Sequence, residues 1–486
     1  MLRLINALIK KPDNVIEEIE RRSSASSEGA VKADHLAVLV HGLWGSPSHL
    51  WYLTSALRDR YPEDKLHILV AKRNSGSFTY DGIELGGERV TQEIEQKLEE
   101  LARNGQHIKK ISVIGYSLGG LVARYAIGLL HSKGWFEKLE PVNFTTFATP
   151  HLGVRTPLLG YHNHLWNVLG ARLLSMSGRQ LFTIDSFRDT GRPLLSVLAD
   201  PDSIFIQALA KFKHRSLYCN IVNDRTAVYY TTGISKTDPF VDLKGIKVNY
   251  LKGYEPVILD PDNPVSPKEP EIPATFGQRL ATGASDSLYR IPFAIFIVLF
   301  MVIGVPAFLM TSVIQSFRSS RRIRLHLEGK AGISAEQYKV PLLVSMVQEA
   351  RQTAEDIFEN VNQAQSQEYL PASSEEVALE DGSMSPTTSP VISPRHKSNR
   401  SVSSVSEKGL ESDAADAPAA VEMPTLALTP KQFAMIQALD DVGFKKYPVW
   451  IHAARHSHAA IIVRMNRETF HEGKLVVKHW VNEFEI

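Results

Sequence analysis

The sequence has a single cysteine, Cys219, among 486 residues. One cysteine excludes an internal disulfide and a metal site built from several thiolates, and it suits a reducing compartment. An excess of one charge is also missing, because 54 lysines and arginines nearly balance 53 aspartates and glutamates. The resulting net charge of +1 gives no indication of a nucleic-acid partner. A secretory signal is not indicated either, since MLRLINALIKKPDNVIEEIERR is too charged, and residues 1–34 are predicted to form an amphipathic region.

What the sequence does contain is a regular alternation of short apolar runs and helical periodicity over residues 35–250. The apolar runs are HLAVLV, LHILVA, KISVIG, VNFTTFA and SLYCNIVN, and the clearest helical period lies in GERVTQEIEQKLEELARN. This pattern predicts a mostly parallel sheet with helices on both faces. Residues 151–214 interrupt the pattern with a helical insertion, predicted to be a lid. Residues 431–486 resume it with a helix (KQFAMIQAL), a strand (YPVWIHA) and a last helix (KLVVKHWVNEF).

The strongest chemical signal is the stretch GYSLGG, which places Ser117 between an aliphatic run and a helical pattern. A serine at such a turn is a nucleophile elbow, and the glycines on either side of it avoid collisions with the neighbouring strand and helix. An ordinary glycine-containing turn explains the pentapeptide alone, but the strand and helix around it favour the elbow. Ser117 is therefore the candidate nucleophile.

A second glycine-containing turn, HGLWG, follows the apolar run that ends at Val40. A loop of this kind, placed before the nucleophile in the chain, can point backbone amides at a developing oxyanion. We expect the amides of Leu43 and Leu118 to form the oxyanion hole and His41 to hold the loop by hydrogen bonding. Trp44 is predicted either to line the acyl pocket or to lie in the core.

The acid and the base are expected after later strands, in the order Ser, Asp, His. Asp224 directly follows the run CNIVN, although a turn-starting Asx residue explains the same pattern, and Asp238 and Asp242 are alternatives. His458 opens an apolar segment after the predicted strand YPVWIHA and is the preferred base, with His456 second. His452 is expected to be packed. The three histidines could suggest zinc, but no nearby carboxylate or thiolate completes such a site, so we predict no metal and no cofactor.

Taken together, VLVHGLWGSP, YDGIELGGERV, VIGYSLGGLVARYAIG, TTFATPHLGVR, NIVNDRTAVYYTTGIS, HSHAAIIVR and VVKHW resemble the putative serine esterase family of α/β-hydrolases. Within that family the sequence is most similar to fungal lipid-droplet phospholipases and related monoacylglycerol lipases. The resemblance covers roughly residues 35–230 and the last sixty residues. It implies an α/β-hydrolase fold, Ser117 as nucleophile, Asp224 as acid and His458 as base. It also implies that Thr149-Pro150-His151-Leu152-Gly153 lies beside the site.

An uncharged stretch, IPFAIFIVLFMVIGVPAFLMTSVIQSF, separates the candidate nucleophile and acid from the candidate base. It is long enough to span a bilayer once, but one crossing would place His458 opposite Ser117. Because Gly304-Val305-Pro306 lies at its midpoint and can break a helix, residues 288–317 are predicted to form a membrane-anchoring hairpin. The alternatives are a buried element or lipid-binding cap, and a true span. Four arginines are expected at the hairpin's second base, near anionic headgroups: Arg318, Arg321, Arg322 and Arg324.

Residues 318–364 are predicted to form an amphipathic helical region, and residues 365–430 a disordered Ser/Pro-rich acidic loop that kinases could modify. The sequence thus predicts a serine hydrolase that cleaves acyl esters of phospholipids or acylglycerols at a membrane or lipid-droplet monolayer. We expect it on lipid droplets or on the cytosolic face of the endoplasmic reticulum. Alternatives are a monoacylglycerol lipase, an acyltransferase and an inactive hydrolase-fold membrane scaffold.

Overall fold

The computed structural model describes residues 33–154, 175–268, 305–330, 338, 426 and 428–486. Six parallel strands form its main sheet, in the spatial order β2-β1-β3-β4-β5-β8. Their bounds are β1 His35–Val40, β2 His67–Val70, β3 Lys110–Tyr116, β4 Glu140–Phe147, β5 His214–Asn220 and β8 Lys445–Val449. Two further strands, β6 Ile246–Val248 and β7 Val265–Pro267, form a separate antiparallel pair.

Helices cover both faces of the sheet, as the aliphatic runs predict. The α-helices in the described residues are α1 Trp51–Arg60, α2 Ile83–Arg103, α3 Leu118–Ser132, α4 Ser175–Leu181, α5 Leu194–Leu198, α6 Ile204–Ala210, α7 Tyr229–Thr232, α8 Val305–Leu327, α9 Pro430–Val442, α10 Ser457–Ala460 and α11 Gly473–Glu483. Short 3₁₀ helices lie at Pro47–Leu50, Gly76–Tyr80, Trp135–Glu137, Arg188–Thr190 and Glu468–Phe470.

Alternate side chains of each strand enter two different cores. On β1, Leu36 and Val38 pack with α2 and α3, whereas Ala37 and Leu39 pack with α1 and α11. Because the side chains on both faces of the strand are buried, both sets are apolar, and the strand sequence is a continuous aliphatic run. The sequence therefore predicted the sheet and its two helical layers correctly.

The C-terminal part of the chain joins the same sheet as the N-terminal part. Strand β8 pairs in parallel with β5, with Tyr218 opposite Tyr447 and Asn220 opposite Val449. The strand predicted from YPVWIHA ends earlier than expected, at Val449, and Trp450 already bonds to Val257 of the segment after β6. This pairing brings the chain after β8 to the edge of the sheet where β3 and β5 also end.

Helix α8 contains the second half of the uncharged stretch. It runs without a break from Val305 through the arginines to Leu327, across residue 317, where the membrane-anchoring segment was predicted to end. Its Ser312 and Ser319 are buried. Among the described residues, no helix has both the length and the apolar character needed to cross a membrane.

Several predicted segments lie wholly or largely outside the described residues. In the N-terminal region these are residues 1–32, in the insertion residues 155–174, and in the uncharged stretch its first half, up to residue 304. Most of the predicted helical region 318–364 and most of the Ser/Pro-rich loop 365–430 also lie outside the described residues. The described part of the insertion, from α4 to α6, is helical as predicted.

Candidate functional site

Ser117 occupies a sharp turn between β3 and α3. Its backbone has φ 55° and ψ −130°, a strained conformation for a residue with a side chain, and it is the N-cap of α3. The strand and helix approach so closely that a Cβ on Gly115 would lie 2.3 Å from the Cα of Gly120. Only glycine fits there. The turn is the nucleophile elbow that the flanking pattern predicts, and it presents Ser117 Oγ at the carboxyl end of the sheet.

His458 lies on the short helix α10, after β8, and its imidazole faces Ser117. Nε2 of His458 lies 2.9 Å from Ser117 Oγ, and Nδ1 lies 2.8 Å from Oδ2 of Asp224. The hydroxyl of Tyr116 donates a hydrogen bond to the backbone carbonyl of His458 at 3.0 Å. Ser457 Oγ donates to the carbonyl of Val222 at 2.8 Å, which ties α10 to the loop that carries the aspartate. The structure thus brings Ser117, His458 and Asp224 into one hydrogen-bonded chain.

Asp224 is almost fully buried, and donors surround its carboxylate. Oδ1 accepts the backbone N–H groups of Thr226 and Ala227 at 3.0 and 2.9 Å, and Oδ2 accepts Asn220 Nδ2 at 3.0 Å. Burial by itself would raise the pKa of Asp224, but the charge and hydrogen bond of His458 and the donors around the carboxylate lower the pKa below its usual value. The carboxylate is therefore held charged and in fixed orientation against the imidazole.

The loop after β1 lies directly against the nucleophile. A Cβ on Gly42 would lie 2.7 Å from Ser117 Cβ, so only a glycine allows this approach. His41 Nδ1–H donates to the carbonyl of Gly42 at 3.1 Å, and burial lowers the pKa of His41 to about 4, so it stays neutral. In residues 33–154, no hydrogen bond uses the backbone N–H of Leu43 or Leu118. Both amides are available to a ligand beside Ser117.

The other candidates from the sequence lie in different surroundings. Asp238 accepts from the backbone N–H of Phe240, and burial raises its pKa to about 6, whereas Asp242 accepts from the N–H of Lys244. His456 is exposed. His452 is also exposed and stacks on Trp450 at 4.4 Å, so the expectation that it is packed is wrong. These side chains are not part of the hydrogen-bonded chain.

Trp44 follows Leu43 and is half exposed, at 51%, which rules out a place in the core. Two residues that support the site were given no role from the sequence: Tyr116, which bonds to the His458 carbonyl, and Asn220, which bonds to Asp224. They lie within the stretches GYSLGG and CNIVN, so polar residues at the strand ends were the available signal. Thr149 donates to the Ser117 carbonyl at 3.0 Å. Thr149 begins the loop that the resemblance placed beside the site.

Comparison with known sequences gives a consistent result. The model of the family described as "Putative serine esterase (DUF676)" matches residues 30–237, a range that includes Ser117 and Asp224 but not His458. The chain is 31% identical over 244 residues to the putative lipase ROG1 of Saccharomyces cerevisiae, covering 48% of this chain and 34% of that protein. It is 30% identical over 211 residues to the putative lipase C4A8.10 of Schizosaccharomyces pombe, covering 42% and 26%. The aligned part thus spans between about a quarter and a third of the length of these relatives.

Similar solved structures include a Trichoderma reesei cutinase in complex with a phosphonate inhibitor, at 13% identity and a TM-score of 0.18 over 32% of this chain and 74% of the cutinase. Another is a lipase-esterase related protein from Clostridium acetobutylicum, at 14% identity and a TM-score of 0.23 over 42% and 81%. The elbow after β3, the acidic residue after β5 and the histidine after β8, at one edge of a parallel sheet, define an α/β-hydrolase fold. Over residues 30–237, the chain matches the model of the putative serine esterase family.

Proposed function

We propose that this protein is a lipid acyl-ester hydrolase, a lipase or phospholipase, that acts through Ser117, His458 and Asp224. The observation that carries the proposal is the continuous hydrogen bonding from Asp224 Oδ2 through His458 to Ser117 Oγ, at 2.8 and 2.9 Å. These distances are within the reach that proton transfer and nucleophile activation require. The curated relatives named as lipases support the choice of a lipid ester as substrate.

In the first step, Ser117 Oγ attacks the ester carbonyl carbon while His458 Nε2 takes the serine proton. Asp224 stabilises the resulting imidazolium through its hydrogen bond with Nδ1. The carbonyl oxygen becomes an oxyanion that accepts hydrogen bonds from the amides of Leu43 and Leu118, each worth about 3 kcal/mol of transition-state stabilisation. When the tetrahedral intermediate collapses, the bond to the leaving alcohol breaks and His458 donates its proton to that alcohol's oxygen. The product of this step is an acyl-serine.

In the second step, water replaces the alcohol. His458 takes a proton from the water as its oxygen attacks the acyl carbon, and the same two amides hold the second oxyanion. Collapse of this intermediate releases a fatty acid and returns the proton to Ser117 Oγ. No further group is needed to balance the reaction.

Helix α8 supports the proposal that the enzyme works at a lipid surface. Its exposed face has large apolar side chains two turns apart, with Met310 at 67% and Phe317 at 75% exposed, while its buried face has polar Ser312 and Ser319. A helix on a water-soluble protein normally shows the opposite arrangement. Val313 and Ile314 complete the apolar row. An apolar outer face and a polar inner face are typical of a helix that lies in a lipid interface.

Position along the chain supports the same surface. The apolar row lies in the second half of the uncharged stretch, which ends at Phe317, and exposed arginines follow it on the outer side: Arg318, Arg321 and Arg324. Arginines at the end of an apolar row can reach anionic headgroups while the row enters the acyl layer. We propose that this face, called the lipid face and made of Met310, Val313, Ile314 and Phe317, contacts a lipid-droplet monolayer or the cytosolic leaflet of the endoplasmic reticulum.

The test compares the wild-type protein with Ser117→Ala and with the control Ser132→Ala. Ser132 is an exposed serine at the end of α3, the helix that Ser117 caps. Each is incubated with phosphatidylcholine vesicles, monoacylglycerol micelles or triacylglycerol emulsion, and free fatty acid is measured by mass spectrometry. We expect fatty acid from the wild type and from Ser132→Ala, and at least about a thousandfold less from Ser117→Ala. The pool that loses acyl chains identifies the substrate class.

Labelling with a fluorophosphonate tests the alternatives. A hydrolase with an activated Ser117 reacts with the reagent, whereas a membrane scaffold of the same fold does not. An acyltransferase would react but would pass the acyl chain to an added alcohol instead of releasing fatty acid. Full hydrolysis by Ser117→Ala would overturn the proposed mechanism.

A further inference from the structure

The inner face of α8 is bonded to the turn that precedes α2. Ser319 Oγ donates to the backbone carbonyl of Tyr80 at 3.2 Å. The guanidinium of Arg322 binds the Asp81 carboxylate through two nitrogens, with Nε at 2.8 Å from Oδ2 and Nη2 at 2.6 Å from Oδ1. Arg322 Nη2 also donates to the carbonyl of Ser77 at 2.8 Å. We call residues 76–81 the hub turn, since three parts of the protein meet there.

Asp81 makes this contact specific. Its carboxylate is completely buried and binds a second guanidinium, that of Arg89, at 2.7 Å. Both guanidiniums lie over the ring of Phe78, at 4.9 Å for Arg322 and 5.0 Å for Arg89. A buried carboxylate with paired, bidentate partners is geometrically constrained, and removing one partner leaves its charge poorly compensated. The position of the hub turn therefore depends on α8.

The opposite side of the hub turn holds the loop beside Ser117. The backbone N–H of Trp44 donates to Thr79 Oγ1 at 3.1 Å, and the indole N–H of Trp44 donates to the hydroxyl of Tyr80 at 2.7 Å. Gly76 N–H donates to the carbonyl of Gly45 at 2.8 Å. Trp44 has a φ of 53°, so these bonds hold a strained residue in place. The peptide they fix is the one directly after Leu43, whose amide is the proposed oxyanion donor.

A helix of the insertion closes the third side of the hub turn. Ser177 Oγ of α4 donates to the carbonyl of Thr79 at 2.5 Å and accepts the N–H of Gly82 at 3.0 Å. Gln180 Oε1 of the same helix accepts the N–H of Ile83 at 2.6 Å. The hub turn is thus held by α4, by the loop after β1 and by α8. Of these three elements, only α8 carries the proposed lipid face, so only α8 connects the hub turn to a lipid surface.

We infer that Arg322 is a positioning residue that links the lipid face to the oxyanion hole. When a lipid surface fixes α8, the bonds of Arg322 and Ser319 hold the hub turn, the hub turn holds Trp44, and the Leu43 amide keeps the position in which it binds the oxyanion. This inference rests on the proposed function. The role of Arg322 then differs from the headgroup contact expected from the sequence, because its guanidinium is already paired with the carboxylate of Asp81.

The test separates catalysis from lipid binding by using a soluble substrate and a lipid that cannot be hydrolysed. The rate of p-nitrophenyl butyrate hydrolysis is measured with and without vesicles of diether phosphatidylcholine and diether phosphatidic acid. For the wild type we expect kcat to rise at least about fivefold on adding vesicles, with KM changed less than about twofold. The effect falls on kcat because the oxyanion contact exists only in the transition state.

Arg322→Met keeps a long side chain but removes both bonds to Asp81. We expect this variant to sediment with the vesicles like the wild type and to lose the vesicle-dependent rise in kcat. Arg322→Lys should recover part of the rise, since it restores the charge without the bidentate geometry. Arg103→Met, at an exposed position at the end of α2, is the matched control and should keep the full rise. The double variant Met310→Ser/Phe317→Ser should lose both sedimentation with vesicles and the rise.

Each result decides a separate question. If the wild type hydrolyses the ester but vesicles leave kcat unchanged, or if Arg322→Met is stimulated like the wild type, the inference is overturned while the proposed function stands. If the double variant still sediments with vesicles, another part of the chain binds the lipid surface, and the inference again falls. Absence of hydrolysis and of fluorophosphonate labelling in the wild type refutes the proposed function itself. Should Arg322→Met fail to fold, Ser319→Ala removes only the bond to Tyr80 and is expected to lower the rise in kcat.

Discussion

At the scale of single residues, the site depends on the different hydrogen-bond donors that the two carboxylate oxygens of Asp224 accept from. Oδ1 accepts two backbone N–H groups, from Thr226 and Ala227, and Oδ2 accepts from His458. An amide side chain at this position would turn its oxygen towards the two backbone donors and its NH₂ towards His458. The imidazole would then carry its proton on Nε2, which faces Ser117. In that tautomer the histidine cannot accept the serine proton.

Asp224→Asn is therefore expected to lower kcat by about 10³- to 10⁴-fold while KM changes little. The rate of fluorophosphonate labelling should fall in parallel, because it depends on the same proton transfer. Asp238→Asn, which alters the other buried aspartate candidate, is the control and should keep kcat within about threefold. An Asp224→Asn enzyme within tenfold of wild type, or a large loss in Asp238→Asn, would move the acid to Asp238.

Residue patterns predicted some of the site and missed the rest for a definite reason. Ser117 and Asp224 directly follow apolar runs and His458 opens one, so the order of strands and polar residues along the chain was enough to make them the preferred candidates, with Asp238, Asp242 and His456 as alternatives. The bidentate contact of Arg322 with Asp81 joins residues 241 positions apart. The sequence around Arg322 has the same arginine-rich pattern as an exposed helix end, and only the folded chain shows which of those arginines is bonded inwards.

At the scale of elements, length decided what the sequence could predict. The strands of the main sheet have four to eight residues of aliphatic or alternating character and were predicted from it, although β8 ends earlier than expected. Strands β6 and β7 have three residues each, too few to show a period, and the prediction left residues 251–287 unassigned. The break predicted at Gly304-Val305-Pro306 lies at the edge of the described residues, and Pro306 is near the start of the described part of α8, a position that proline tolerates.

Helix α9 offers a test of how one element is anchored. It begins with a capping box, in which Thr429 Oγ1 accepts the N–H of Gln432 and Gln432 Oε1 accepts the N–H of Thr429. Gln432 Nε2 also donates to the carbonyl of Leu152 in the loop after β4. We expect Thr429→Ala to lower the free energy of unfolding by about 1 kcal/mol, and Thr429→Ser, which keeps the oxygen, to lower it much less. Urea unfolding of both variants provides the measurement, and equal losses would contradict the capping role.

At the scale of the whole molecule, the fold joins distant parts of one chain at a single site. Ser117 and His458 are 341 positions apart, and the parallel pairing of β5 with β8 makes their contact possible. The sequence predicted this closure from the return of the strand and helix pattern after residue 430. Since this pairing joins the two parts of the chain that carry Ser117 and His458, the packed core and the assembled site should be lost together on unfolding.

Buried histidines give the molecule a pH-dependent stability. Burial is the main cause that lowers the pKa of four of them to about 4: His35, His41, His67 and His479. Each takes up a proton in the unfolded chain near pH 6.5 but resists protonation in the folded protein. Between about pH 6.5 and pH 4 the unfolded state therefore binds more protons, and the free energy of unfolding falls as the pH falls. The contribution is complete above pH 6.5 and is lost through that window.

His67→Gln isolates one of these groups. We expect the slope of unfolding free energy against pH, measured by urea titration from pH 7 to pH 4.5, to decrease by up to about 1.4 kcal/mol per pH unit. His107→Gln, at an exposed position before β3, makes the same chemical change and should leave the slope unaltered. Equal slopes for wild type and His67→Gln would mean that His67 takes up its proton at the same pH in the folded and in the unfolded protein. Because folding of the sheet also assembles the Ser117 site, no hydrolytic activity should remain at a pH where a variant is unfolded.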